Sequence, residues 1–243
     1  MSPATICARN GARALAERDA ASLLDDPASR EARAVFLMRL RRAGVRDLAV
    51  LRAIEETPRH LFTPQRYRDL AFRELRLPLP CGQTMPDAVH VARLVEAAEC
   101  GPRMRLLEIG AGSGYVTAVL ARLCGEVIAL ERFRSLVVEA QARLDALGLT
   151  NVLLRWADGA EPAGYGGPFD RIVIHAVIAP QMLARHLDAL APGGVLIAGE
   201  SDAAGRVTLA RYDSPAILGD SPRRRALGPA RLRALDAGLA QAL

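Results

Sequence analysis

The chain has 243 residues, 51% of them hydrophobic and 24% charged, with a mean hydropathy of +0.12. That length allows one sizeable core, or one core with a small accessory lobe, and that composition excludes a largely disordered chain. The formal net charge is +5, but every one of the 32 basic residues is arginine, and the clusters Arg39, Arg41, Arg42 and Arg223, Arg224, Arg225 have no interleaved aromatics for bases to stack on, so solvated surface charge is expected and no nucleic-acid partner.

The opening stretch MSPATICARNGARALAERDAASLLDD places charges where a secretory signal needs an apolar run. No uncharged apolar stretch approaches the roughly 18 residues of a membrane span. Both features point to a cytoplasmic protein with no membrane partner. Residues 1–30 are Ala-rich and weakly patterned and are expected to be loosely attached. Two helices should follow, one carrying Val35, Phe36, Leu37 and Leu40, the next carrying Leu48, Leu51 and Ile54 before Pro58 stops it. A proline-punctuated segment, TPRHLFTPQRYRDLAFRELRLPLPCGQTMPDA, precedes a helix over residues 88–98 that Cys100, Gly101 and Pro102 close.

From Met104 onward short apolar runs alternate with helical segments. MRLLEI, VIAL, NVLLRW, RIVIHAV and GVLIAG read as strands, whereas YVTAVLARLC, SLVVEAQARLDAL and PQMLARHLDAL read as helices. Such alternation with short connections predicts parallel strands joined by right-handed crossovers, hence a doubly wound α/β fold with a helical N-terminal extension. VTLARYD reads as one more strand, antiparallel at the edge. The stretch PRRRALGPARLRALDAGLAQAL has apolar periodicity suited to packing or pairing, with no means of choosing between them. Cys7, Cys81, Cys100 and Cys124 form no CxxC pair and have no histidine at ligand spacing, so reduced thiols and no metal site are expected. Cys81 reads as a small buried residue; His60 and His186 read as structural.

In open sheets of this kind ligands bind at the carboxyl ends of the strands. The first strand is followed by Gly110, Ala111, Gly112, Ser113 and Gly114, a bend that brings backbone N–H groups close to a ligand. Tyr115 stands where a dinucleotide-binding loop has its third glycine and would crowd a pyrophosphate. Glu108, two residues before Gly110, would repel a phosphate but suits a cationic group. Glu131 ends the second strand, the usual place for an acid receiving both ribose hydroxyls. Asp158, followed by Gly159, ends the third strand, where an acid can accept from an exocyclic amine. Three acids with a phosphate-hostile bend fit a ligand with a ribose, an adenine and a positive centre, which describes S-adenosyl-L-methionine.

Together with VLRAIEETPRHLFTPQRYRDLAF, the loop CGQT, LLEIGAGSGY, ERF, ADG, PFDRIVIHA and LAPGG, the region from about 45 to 198 resembles the protein-L-isoaspartate O-methyltransferases. The resemblance implies a seven-stranded Rossmann-like methyltransferase sheet and transfer of a methyl group to L-isoaspartyl (D-aspartyl) residues of damaged proteins or peptides. It assigns Gln83, Thr84, Glu108, Gly110, Gly112, Ser113, Gly114, Glu131, Arg132, Asp158 and Gly159 to the cofactor. Gln83 and Thr84 belong to a substrate lid loop, with Thr84 and Pro86 at the reaction centre. His175, read from its place at the end of the fourth strand, stands at the same centre as a donor to the substrate carboxylate, a base for a different acceptor, or a partly buried histidine bonded to backbone. The resemblance divides the chain into residues 1–30, a helical region with the lid loop over 31–100, and a cofactor domain over 101–243. Members of the family read GQTISQP where this chain reads GQTMPDA, so Pro86 replaces a serine that contacts the reacting carboxylate, and Asp87, if it faced the site, would repel that carboxylate. His90 could face the pocket. The alternatives are a different carboxylate acceptor, in a dedicated peptide or a small acid, or a cofactor-binding homologue weakened in catalysis. A nicotinamide dehydrogenase is disfavoured by Tyr115, and an adenine or glutamine N-methyltransferase by HAVIAP after the fourth strand.

Overall fold

In the computed structural model, residues 27–215 and 221–240 are described; the expectation for the N-terminal segment lies, up to residue 26, outside them. Helix α1 (Pro27–Arg42) seats Phe36 and Leu40 in the core while Val35 faces solvent. Helix α2 (Leu48–Glu55) begins on Asp47, whose carboxylate accepts from the Ala49 and Val50 amides and so satisfies two amides that have no intrahelical partner. Val50, Leu51, Ala53 and Ile54 form its buried face. Leu48, expected on that face, is 69% exposed because it occupies the first helical position, ahead of the packed turns.

The proline-rich segment that follows forms 3₁₀ turns at Arg59–Phe62 and Gln65–Leu70, then a two-stranded antiparallel ribbon of β1 (Leu77–Pro78) and β2 (Thr84–Met85). Helix α3 (Ala88–Ala98) starts on Asp87 and stops where Glu99 turns into the left-handed region at φ 49°. The stop comes one residue before the expected Cys100, Gly101 and Pro102.

Strands β3 (Arg105–Ile109), β4 (Glu126–Glu131), β5 (Val152–Trp156), β6 (Phe169–Val177), β7 (Leu190–Ser201), β8 (Val207–Asp213) and β9 (Arg223–Pro229) make one sheet in the order β5-β4-β3-β6-β7-β8-β9. The first five in that order are parallel, and β8 and β9 are antiparallel. The sheet is therefore doubly wound as expected, but β8 is an interior strand: β9 covers it and forms the edge. Helices α4 (Tyr115–Ala121), α5 (Arg134–Ala146) and α6 (Pro180–Asp188) make the crossovers.

The central parallel strands are apolar on both faces, as buried parallel strands must be. Leu106, Val127, Ala129, Val173, Val195 and Ile197 face one way, into a core shared with α1 to α4. Leu107, Ile109, Ile128, Leu130, Ile172, Ile174, Leu196 and Ala198 face the other. The period-two alternation sorts each strand's residues between these layers. Each fully buried large side chain contributes about 1.5–3 kcal/mol relative to exposure. The N-terminal helices and the ribbon residues Leu77 and Met85 share the first of these cores, which places the ribbon loop beside the carboxyl ends of β3, β4 and β6. Among the described residues no helix is long and apolar enough to cross a membrane, and no group of three or more His, Cys, Asp or Glu side chains could hold a metal ion.

Candidate active site

Strand β3 runs into a bend whose three glycines all take positive φ, 88° at Gly110, 57° at Gly112 and 84° at Gly114, a region that side-chain-bearing residues rarely enter. The bend is fastened to β4. Gly110 and Ala111 donate to the Leu130 carbonyl at 2.8 and 3.1 Å, and the Gly112 amide donates to Glu131 Oε2 at 2.8 Å. Glu131 Oε1 accepts from the Phe133 amide at 2.9 Å. Burial pushes the Glu131 carboxyl above its ordinary pKa, and those amides pull it part of the way back.

Beneath the bend lies Glu108, fully buried, with Oε1 2.9 Å from Nε2 of His175. Its other oxygen, Oε2, has no hydrogen-bond partner. The pair is 67 residues apart in sequence and meets because β3 and β6 are register neighbours, Glu108 opposite Val173.

The C-terminal stretch crosses the mouth of this region as a strap. The Val177 amide donates to the Arg233 carbonyl at 2.7 Å and the Leu235 amide to the Val177 carbonyl at 2.8 Å. Arg132 pairs with Asp236 at 2.9 Å, and the Gly238 amide donates to Asp158 Oδ2 at 2.7 Å. Across the way, the lid loop is pinned from below by Arg59, which is 1% exposed. Arg59 donates to the Ala71 carbonyl at 2.9 Å and the Pro86 carbonyl at 2.6 Å, and its guanidinium carbon lies 4.9 Å from the Tyr115 ring centre.

Two cavities result. One, of about 170 Å³, lies between the glycine bend, Glu131, the lid loop and strap residues 233–236. The other, of about 480 Å³, opens between the lid loop, α3, β9 and strap residues 230–233. They share Gln83, Thr84, Pro86, His175 and Arg233. The first is smaller than the roughly 300–1,000 Å³ of most ligand pockets, which fits a mouth narrowed by the strap.

The sequence profile of the protein-L-isoaspartate(D-aspartate) O-methyltransferase family matches residues 31–214. The chain belongs to this family. A protein-L-isoaspartate O-methyltransferase from Azorhizobium caulinodans is 46% identical over 178 residues, spanning 72% of this chain and 81% of the relative. One from Parvibaculum lavamentivorans is 40% identical over 208 residues, 85% and 92% of the two chains. A Plasmodium falciparum structure assigned as a protein-L-isoaspartate O-methyltransferase, in complex with S-adenosyl-L-homocysteine, matches the fold with a TM-score of 0.69 at 20% identity, covering 83% of this chain and 97% of that one. A second solved protein-L-isoaspartate O-methyltransferase gives a TM-score of 0.73 at 22% identity, covering 85% and 67%.

Of the residues that the family resemblance singled out, Gln83, Thr84, Pro86, Gly110, Gly112, Ser113, Glu131, Arg132, Gly159 and His175 line the smaller cavity. Three do not. Glu108 lies under the floor and reaches the site through His175. Gly114 caps α4 and sits against Ala140, 3.0 Å from where its Cβ would be. Asp158 turns into its own loop, its Oδ1 accepting from the Ala160 amide at 2.9 Å and its Oδ2 from the Gly238 amide of the strap. Asp87 lines the larger cavity, and its Oδ1 accepts from the His90 amide at 2.9 Å, so one carboxylate oxygen is engaged in starting α3 while the side chain still borders that cavity. His90 lines the larger cavity. Cys81 is half-exposed rather than buried, with φ 60° and Sγ 3.2 Å from Ser135 Oγ. His186 is buried, its ring nitrogens 2.7 Å from the Met182 carbonyl and 2.9 Å from that of Gly159, which ties α6 to the loop after β5.

Two groups went unread in the sequence. Arg59 was one, although an arginine between Pro58 and His60 in an otherwise buried segment was a usable signal. The strap was the other, and the Arg223–Pro229 edge, three arginines followed by Ala, Leu, Gly and Pro, gave no alternating strand pattern before it.

Proposed function

We propose that the chain is an S-adenosyl-L-methionine-dependent carboxyl O-methyltransferase that acts on L-isoaspartyl (D-aspartyl) residues of damaged proteins or peptides in the cytoplasm. The observation that carries the reading is the meeting of the two cavities at Gln83, Thr84, Pro86, His175 and Arg233. A cofactor in the smaller one and an acceptor in the larger would touch there.

The residues present fit the cofactor. Under the floor, the unpartnered, buried Oε2 of Glu108 sets an uncompensated acceptor beneath the cavity, which suits a ligand with a cationic centre above it. Glu131 stands at the strand end where ribose hydroxyls are received, and Gly110, Gly112 and Ser113 would form the floor. Arg132 and Gly159 would flank the adenine, with Asp158 behind them. When bound, S-adenosyl-L-methionine supplies a sulfonium methyl group: the carboxylate oxygen bonds to that carbon as the S–CH₃ electrons return to sulfur. The protein needs no general base, because a carboxylate is ionised near neutral pH. Its task is alignment, which can be worth about 7–11 kcal/mol. Glu108 orients His175, Arg59 fixes the lid loop, and Leu79 and Met85 give the smaller cavity an apolar side. Residues 31–100 serve as the acceptor-side lid region and 101–243 as the cofactor domain.

The test is incubation with methyl-labelled cofactor and an isoaspartyl peptide beside its normal aspartyl twin. Label on the isoaspartyl peptide alone is expected. Label on neither, with adenosylhomocysteine still bound, would overturn this reading and favour a different carboxylate acceptor, the alternative that the proline at position 86 suggests.

A further inference from the structure

We infer that Arg233, on the C-terminal strap, is the residue that binds the reacting carboxylate of the acceptor. The inference rests on the functional reading above and deepens it by naming what recognises the anion.

An acceptor carboxylate has to sit where the two cavities meet, so its ligands must come from the five residues lining both. Pro86 has no N–H to give, and its carbonyl is held by Arg59. The Gln83 side-chain amide donates to the Cys81 carbonyl at 3.1 Å. His175 already faces a carboxylate, Glu108, at 2.9 Å, so any positive charge it carried would be matched there. Thr84 offers a neutral hydroxyl. Arg233 is different in kind. Its guanidinium is permanently charged and presents a planar fork of donors suited to a carboxylate. Among the described residues that side chain has no hydrogen bond and no ion pair, whereas Arg59 is engaged with carbonyls, Arg132 with Asp236, and Arg93 with the Ala43 carbonyl; Arg76 and Arg231 are equally without such contacts but line the larger cavity alone, away from the shared wall.

Its backbone is also fixed. The Val177 amide donates to the Arg233 carbonyl and the Val177 carbonyl accepts from Leu235, with Ala234 bridged in parallel to Val177. The guanidinium is therefore presented from a pinned chain, which reduces the ordering cost of binding. Charge balance points the same way. Arg76, Arg93, Arg231 and Arg233 line the larger cavity against a single acid, Asp87, whose Oδ1 is engaged by the His90 amide. The permanent charge, the missing partner and the position at the junction converge on one side chain.

The test uses the full-length protein with Arg233→Ala, Arg233→Gln and Arg233→Lys. It measures three quantities: steady-state methylation of an isoaspartyl peptide, affinity for the same fluorescently labelled peptide in the presence of adenosylhomocysteine, and affinity for adenosylhomocysteine alone. Loss of a charge-assisted contact should raise KM and the peptide Kd by about 10- to 150-fold in the Ala and Gln variants. The change in kcat should be much smaller, adenosylhomocysteine affinity should stay within about twofold, and Lys should restore part of the loss. KM and peptide affinity unchanged in an active Arg233→Ala protein would overturn this inference alone. A parallel loss of adenosylhomocysteine affinity would also overturn it, by assigning Arg233 to the cofactor wall. A wild-type protein that neither binds nor methylates the isoaspartyl peptide would overturn the functional reading and this inference with it.

Discussion

Glu131→Ala is the substitution whose effect follows most directly from the site's construction. The carboxylate is 5% exposed, accepts from Gly112 at 2.8 Å and Phe133 at 2.9 Å, and stands where ribose hydroxyls would donate. Alanine removes the acceptor for the hydroxyls and strands two buried amides. A hydrogen bond to a charged group is worth about 1.5–3 kcal/mol, so loss of the ribose contact should raise the adenosylhomocysteine Kd about 10- to 150-fold. Glutamine keeps the shape and one acceptor oxygen and should fall between. Isothermal titration calorimetry over a pH series adds a second check. Burial holds the Glu131 carboxyl above its ordinary 4.5, so its contribution to folding is present below that value and is lost as pH rises through the raised pKa. Hydroxyl donors prefer the carboxylate form, so ligand affinity should climb over the same interval in the wild type and not in Glu131→Gln. An unchanged Kd in Glu131→Ala, or identical pH profiles for wild type and Glu131→Gln, would refute the placement of the ribose.

Three further outcomes are expected. A Cβ at Gly159 would lie 2.2 Å from Ile109 Cγ2, so Gly159→Ala should destabilise by about 1–3 kcal/mol through overpacking and weaken cofactor binding; an unshifted thermal melt would contradict the packing of that loop on β3. Burial, aided by nearby His175, holds His90 down to about 4 against the opposing charge of Asp87. His90 therefore contributes stability that is present above its ordinary 6.5 and lost as pH falls towards 4. Denaturant titrations of wild type and His90→Asn should diverge across that window, and parallel curves would count against it. Pro86→Ser adds a donor to the shared wall and should raise turnover of the isoaspartyl peptide, whereas an unchanged or lower rate would show that position 86 does not meet the acceptor.

The central sheet was legible because apolar runs such as RIVIHAV and GVLIAG are buried on both faces, which leaves an unmistakable alternation with the crossover helices. The glycine bend and Glu131 were legible for a related reason: strand ends are fixed points of such a sheet, so position in the pattern predicts position in space. The pairing of Glu108 with His175 was not, because it depends on the register between β3 and β6, which no local spacing encodes. Strand β9 was missed because its sequence, three exposed arginines before Ala226 and Leu227, has no period-two alternation and pairs through the backbone to β8, with Arg224 reaching Glu200 at 2.6 Å. The second use of Asp87, as a helix cap, went unread although it lines the larger cavity as its conditional reading required. Beside Ala88 it is well suited to cap a helix, and that use governs one of its oxygens.

The most direct test of the whole account is a crystal structure with adenosylhomocysteine and an isoaspartyl peptide bound together. The account predicts the nucleoside between the glycine bend and Glu131, under the strap, with the peptide carboxylate at the wall shared by Thr84, His175 and Arg233. A nucleoside seated elsewhere, or a peptide carboxylate lying away from that wall, would contradict it.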